Sequence, residues 1–305
     1  MAERTNAQKR WKLLARAVSH LFKPHERELL DENNGISIQS FTSFKLLQLE
    51  SICLKSESTS RSWWLYSCFV CNKHCEILVS HVTKLFAPSE LVGFNNTGNI
   101  CVWPSEECLA YYLLKRPEIC RGRKVLELGG GMSCLAGVLA AKYCGPSSVM
   151  LTDGNGTSVD NIRCIIERNG MTDLVKCCII RWSKTPKTLL WNNNFSNKNC
   201  LNQEESYEVI ICADCLFFDD VRLDLVDTIY GYLTDDGVAL VMAPYRGETF
   251  HHFIKAAIQR GFVAHQIKRY DSEIWSRHIK LLKTNRDYCP DLHFPLLLKM
   301  SKQKN

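Results

Sequence analysis

The sequence predicts an α/β fold: seven strands in an open, mostly parallel sheet closed by a terminal antiparallel strand, with an N-terminal α/β extension. Three observations predict it. Between Lys124 and Cys134 the chain reads KVLELGGGMSC, a buried strand running into three glycines and then into a small-residue run with the spacing of a packed helix. From there to about residue 259, strand-like and helix-like stretches alternate, the pattern of βα units. Phe262 to Ile267 and Phe294 to Met300 then read as two strands in succession with no long helix between them, which breaks the alternation.

A chain of 305 residues is long enough for one large α/β unit with extensions. Its apolar runs fall far short of a membrane span, and no charged-then-apolar start resembles a secretory signal. Cytosol with access to the nucleus is the expected compartment, and a monomer the expected state. Sixteen cysteines are scattered, several inside apolar strands such as Cys177, Cys178 and Cys212, as reduced, buried thiols are. Cys68, Cys71, His74 and Cys75 have spacing loosely like a zinc site. The absence of a second matching pair, and the alternating flanks from Trp63 to Val79, favour plain sheet and no metal. The net charge of +6 is uneven: residues 125–245 carry about six more acids than bases, and 255–305 about seven more bases than acids. A basic periphery suits an acidic macromolecular partner, and an ordinary solvated surface explains it equally well.

In chain order, residues 1–30 read as a basic, partly amphipathic helix (Trp11, Leu14, Val18, Leu21, Phe22) ended by Pro24. Alternation from Ile36 to Thr83 predicts an antiparallel hairpin or small sheet, with Ser56 to Ser62 as its loop. The N-terminal extension is therefore set at 1–93 and the main domain at 94–305. Trp103-Pro104-Ser105 starts a helix with Glu106 and Glu107 in its first turn and Leu109, Ala110 and Leu113 on its buried face. The turn upstream would aim Trp103 toward the glycines, and a core role for Trp103 is as good a reading. Ser148 to Thr152 is the second strand of the main sheet, ending at Asp153, an acid placed to accept hydrogen bonds from both ribose hydroxyls of an adenosine. Val175 to Arg181 is the third, closing on Trp182, whose indole could stack on adenine. Ser183 to Glu205 is Asn-rich and reads as a surface insertion. Tyr207 to Phe218 is the fourth strand, with Ala213 and Asp214 near its tip, where ligands sit in an open parallel sheet. Helices over Asp219 to Ile229 and Phe250 to Gln259 flank a fifth strand from Gly237 to Pro244.

The glycines free the backbone for unusual φ/ψ and let N–H groups approach a ligand at the positive end of the following helix. A dinucleotide fingerprint would need a third glycine where Cys134 stands. The alternative is E-x-G-x-G, spanned by Glu127, Gly129 and Gly131, the pattern of S-adenosylmethionine (SAM) methyltransferases. A strand-to-helix turn with no ligand is the bland reading of that motif alone.

Taken together, E-x-G-x-G, Asp153, Trp182, the strand-four tip and the paired terminal strand resemble the Rossmann-like class I methyltransferases. The tip D-C-L-F, Asp214 to Phe217, is similar to the D-x-x-Y/F signature of the seven-β-strand protein-lysine methyltransferases of family 16. It differs from the N-P-P-Y tip that grips a planar amide or adenine. FNNTGN, CVWPSEE, LELGGGMSCLAG, LTDGN, ADCLFFD and LHFPLLL resemble, at fitting spacings over roughly residues 94–300, the branch of that family that acts on calmodulin. The resemblance implies that SAM is held by Trp103, Glu127, Gly129, Gly130, Gly131, Asp153, Trp182 and Ala213, and that Asp214 and Phe217 line a lysine channel. It implies methylation of a calmodulin lysine, up to trimethyl-lysine, with no nucleic-acid or membrane partner. A family member acting on a chaperone or elongation factor, and a catalytically silent SAM-fold binding module, are the alternatives. An NAD-dependent dehydrogenase is more distant, given Cys134 and the paired terminal strands.

Overall fold

The structure, a computed structural model, describes residues 44–52, 61–82, 101–185, 205–216, 221–286 and 288–304. The expected N-terminal helix, the Ile36 to Phe41 stretch, the Phe94 to Asn99 turn, most of the Asn-rich insertion and Phe217 lie outside these residues.

The main sheet contains β4 (Lys124–Glu127), β5 (Ser148–Asp153), β6 (Val175–Ile179), β7 (Tyr207–Ala213), β8 (Leu233–Pro244), β9 (Phe262–Ile267) and β10 (Pro295–Lys302) in the order β6-β5-β4-β7-β8-β10-β9. The strands from β6 to β8 pair in parallel. β10 is antiparallel to both neighbours, Leu298 facing Val241 of β8 on one side and Gln266 of β9 on the other. The chain leaves β4 outward through β5 and β6, then returns to place β7 on the other side of β4. That reversal opens a crevice at the carboxyl ends of β4 and β7. Both strands read as continuous apolar runs because both faces are covered: Val125, Leu126, Val209, Ile210 and Ile211 are fully buried.

The helices α1 (Pro104–Lys115), α2 (Leu135–Tyr143), α3 (Gly156–Arg168), α4 (Arg222–Tyr232) and α5 (Thr249–Arg260) cover the sheet. Three of them follow a local signal: Pro104 in the first turn of α1, the Asn155 side chain accepting Thr157 N–H at the start of α3, and left-handed Gly261 closing α5. Three boundaries differ from the sequence reading. β7 stops at Ala213 because Asp214 takes a left-handed φ of 57°; β8 begins at Leu233, four residues early; and α4 runs to Tyr232.

A larger correction lies between the last two strands, where α6 (Ser272–Thr284) and the short α7 (Pro290–His293) occupy a stretch read as holding no long helix. Asp271 caps α6, its Oδ1 accepting the N–H groups of Glu273 and Ile274 at 2.9 and 3.0 Å. Ile274 and His278, one turn apart, are buried, and His278 packs against Phe294 at 4.0 Å between ring centroids. The terminal strand still pairs as expected, because α6 and α7 return the chain to the edge of β8.

β1 (Gln48–Ile52), β2 (Arg61–Val70) and β3 (Lys73–Val82) form a separate antiparallel sheet in the order β1-β2-β3. Its apolar face, with Tyr66, Ile77 and Val79 fully buried, shares one continuous core with the main domain. The buried Asn161 of α3 joins the layers, its Nδ2 donating to Ser80 O at 2.6 Å and to Met132 O at 2.8 Å. Cys68 and Cys75 face each other across the β2–β3 ladder and are buried, while Cys71 is exposed in the two-residue turn with Asn72, both left-handed. The strand register thus brings Cys68 and Cys75 together and leaves Cys71 of the candidate zinc spacing in the exposed turn.

Candidate active site

The crevice is built on the turn after β4. Gly129 and Gly131 sit at φ 64° and 62°, a region that favours glycine. The turn is tied to both neighbouring strands: Leu128 N–H donates to Ile211 O at 2.9 Å, Gly130 N–H to Thr152 O at 3.1 Å, and Gly131 N–H to Asp153 Oδ2 at 2.9 Å. A Cβ on Gly129 would lie 2.7 Å from Trp182 Cζ2 and 2.8 Å from Cys215 Sγ. The half-buried indole just past β6 therefore lies directly against the glycine turn.

Asp153, at the tip of β5, accepts from Asn155 N–H at 2.9 Å as well as from Gly131. Burial pushes its carboxyl up from the ordinary range against the pull of these donors. Glu127 lies behind the turn. It is fully buried, Oε2 accepts Gly137 N–H of α2 at 3.0 Å, and burial raises its pKa well above the usual carboxylate range. Glu127 thus braces the turn from beneath, where the sequence reading had it facing the cofactor. Ala213 ends β7, and Asp214, the next residue, donates its N–H to Met242 O of β8 at 2.8 Å.

The first turn of α1 organises the rest. Trp103 is half-buried at its start, its carbonyl accepting the N–H groups of Glu106 and Glu107 at 3.0 and 3.1 Å. The next three side chains each hold a different part of the molecule. Ser105 Oγ donates to Asp214 Oδ2 at 3.1 Å. Glu106 Oε1 accepts from Ser133 Oγ at 2.7 Å and Leu135 N–H at 2.5 Å, clamping the end of the glycine turn. Glu107 Oε1 accepts Leu46 N–H at 2.6 Å and Leu47 N–H at 3.2 Å, holding the chain that enters β1. The sequence marked both glutamates as first-turn acids and missed these contacts, whose partners are 29 and 61 residues away. Arg246, in the turn after β8, pairs through Nη1 with Asp214 Oδ1, and only 8% and 3% of these two side chains are exposed. No sequence signal marked it.

Burial pushes the carboxyls of Glu106 and Glu107 up to about 7. As pH rises from about 4.5, the unfolded chain releases these protons first, so stability falls through pH 7, by on the order of 3 kcal/mol for each group. The melting temperature is expected to drop between about pH 5 and pH 8. Glu107→Gln, which keeps an acceptor for Leu46 and Leu47, is expected to drop less; equal slopes for both proteins in thermal melts would refute this account.

These residues could hold an adenosyl ligand. Left-handed Gly129 leaves no room for a Cβ beside Trp182, the indole offers an aromatic face, and Asp153 sets an acceptor at the tip of the second parallel strand. Among the described residues no group of three His, Cys, Asp or Glu side chains is arranged to hold a metal ion.

Comparison with known proteins agrees with this geometry. A family model described as lysine methyltransferase matches residues 90–260, more than half of the chain. The calmodulin-lysine N-methyltransferase of Arabidopsis thaliana is 29% identical over 309 residues, covering 96% of this chain and 96% of that protein. The electron transfer flavoprotein beta subunit lysine methyltransferase of Homo sapiens is 30% identical over 132 residues, 43% of this chain and 41% of that protein. Protein-lysine N-methyltransferase EFM3 of Chaetomium thermophilum is 28% identical over 188 residues, 60% of this chain and 53% of that protein. With its glycine cradle at the switch point of a seven-stranded sheet and this match across its parallel core, the chain belongs to the lysine methyltransferase family, an enzyme whose methyl donor is SAM.

Proposed function

We propose that this enzyme methylates the ε-amine of a lysine in calmodulin, up to trimethyl-lysine. The observation that carries the reading is the likeness to the Arabidopsis calmodulin enzyme, which runs through 96% of both chains, whereas the likeness to the human flavoprotein enzyme stops at 43% of this one. The surface supports it. From Lys268 to Arg286 the side chains of Lys268, Arg269, Lys280, Lys283 and Arg286 are exposed, and none of them makes an ion pair among the described residues. The acids of that stretch, Asp271 and Glu273, are taken by Lys115 and Arg277. An acidic protein such as calmodulin is attracted to such a surface.

When bound, SAM supplies a methyl group on a sulfonium, which the lysine nitrogen takes by in-line displacement as the sulfur keeps the bonding electrons. The protein's work is therefore positioning. The glycine turn, held in place by the Gly130 and Gly131 N–H bonds to Thr152 O and Asp153 Oδ2, is assigned to receive the donor, Asp153 to the ribose hydroxyls, and Trp182 and Trp103 to its flanks. Asp214 is assigned to orient the lysine nitrogen, with Phe217 as the channel wall. A free lysine has a pKa of about 10.4, so burial in the channel must favour its neutral form.

The test is mass spectrometry of calmodulin after incubation with the full chain and SAM, with electron transfer flavoprotein beta subunit and an elongation factor in parallel. One calmodulin lysine is expected to gain one to three methyl groups at low enzyme concentration. Unmodified calmodulin beside a methylated competitor would assign the enzyme another substrate.

A further inference from the structure

A lone carboxylate at the lysine end of the crevice would be a poor device. It would hold an incoming ammonium and stabilise its proton, raising the lysine pKa when the reaction needs a free amine. Asp214 is not alone. Arg246 takes one of its oxygens and Ser105 the other, so both are engaged before any substrate arrives. Arg246 is set independently of Asp214: its own φ is 42°, its N–H donates to Asp291 O at 2.8 Å, and Gly247 N–H donates to Asp291 Oδ2 at 2.9 Å.

The other titratable groups facing this pair come from four places, one of them Cys215 beside Asp214, whose thiol is pushed well up by its hydrogen bond to Cys212 and by burial. Glu106 faces it from α1, its Oε1 occupied by Ser133 and Leu135. Cys101, just before α1, has its thiol pushed up by burial and by Asp214, so it stays neutral. His293 of α7 is pushed down by burial and by Arg246, and its Nδ1 accepts Cys289 N–H at 3.0 Å, so it too stays neutral.

We infer that Arg246 is a positioning residue that cancels the charge of Asp214, so that the carboxylate can orient a lysine nitrogen without trapping its proton. The proton leaves to water on binding, and no general base is required. This rests on the reading of Asp214 as the residue that receives the lysine.

The test compares the wild type with Arg246→Gln, Arg246→Lys, Asp214→Asn and the double variant Arg246→Gln/Asp214→Asn. It uses the pH profile of kcat/KM and calorimetry of protein-substrate binding in buffers of different ionisation enthalpy, which counts protons released. For Arg246→Gln the rising limb of the profile is expected to move about one to two pH units toward alkali, with activity near neutral pH falling at least about tenfold and recovering at high pH. The wild type is expected to release a proton on binding near neutral pH, and Arg246→Gln is not. Arg246→Lys keeps the wild-type limb. The double variant carries no unpaired buried carboxylate, which protects its fold, and its limb is expected to return to the wild-type position, a rescue that a purely structural role would not produce. An unshifted limb in Arg246→Gln, or a double variant whose limb stays with it, overturns the role of Arg246. Undiminished turnover in Asp214→Asn instead overturns the assignment of Asp214, whatever Arg246 does.

Discussion

Asp214→Asn is expected to lower methyl transfer by at least about a hundredfold while changing the affinity for SAM by less than about threefold. The asparagine keeps the size of the side chain and an oxygen for Ser105 Oγ, so the turn after β7 and the neighbouring glycine cradle stay in place. What it loses is the charged acceptor that pairs with Arg246 and is proposed to orient the lysine nitrogen. Alanine is the harsher and less informative change. Both changes leave the buried Arg246 guanidinium with no carboxylate, a loss of about 3–5 kcal/mol that lowers the folded fraction as well as the rate, and alanine also removes the oxygen that Ser105 Oγ meets. The measurements that separate chemistry from folding are calorimetric SAM binding and single-turnover methylation, both taken well below the melting temperature. Near-normal turnover by Asp214→Asn would remove Asp214 from the proposed mechanism, and a parallel loss of SAM binding would reassign it to the cradle.

How much of this was legible in the sequence depended on how local each signal is. The strand and glycines from Lys124 to Gly131, the Pro104 start of α1 and the terminal strand Pro295–Lys302 are announced by residues within a turn or two of one another, and each appears where expected. Helix α6 also carries local signals, an Asp cap and a buried pair at Ile274 and His278. His278 does not read as apolar and interrupts the pattern of Ile274, Trp275, Ile279, Leu281 and Leu282, so the stretch was not read as a long helix. Other features depend on distant partners. Arg246 meets Asp214 across 32 residues, and Ser105 meets it across 109, only because β7 and β8 are neighbours and α1 packs over their ends. Glu127 shows the converse: its motif was legible, but whether its carboxylate faces the ligand or the back of the turn is decided by α2, whose Gly137 N–H it meets.

Gly129→Ala is expected to weaken SAM binding at least tenfold, and a matched substitution shows why crowding rather than backbone strain is the cause. Gly122, in the turn before β4, has φ 70°, close to the 64° of Gly129, but a Cβ there meets nothing within 4 Å. Each alanine must hold a left-handed backbone, at a cost of roughly 1 kcal/mol. Gly122→Ala incurs only that cost, since its N–H bond to Gly145 O needs no side chain, and SAM binding is expected to be unaffected. At Gly129 the new methyl falls 2.7 Å from the Trp182 ring and 2.8 Å from Cys215 Sγ, inside any real carbon contact. The indole end is the softest neighbour and must give way, which moves the face assigned to adenine and stiffens the backbone that approaches the donor. Calorimetry with SAM, together with Trp182 fluorescence measured against a Trp182→Phe control, reads both effects. Equal, small losses of affinity in the two alanine variants would mean that Trp182 does not lie against the ligand.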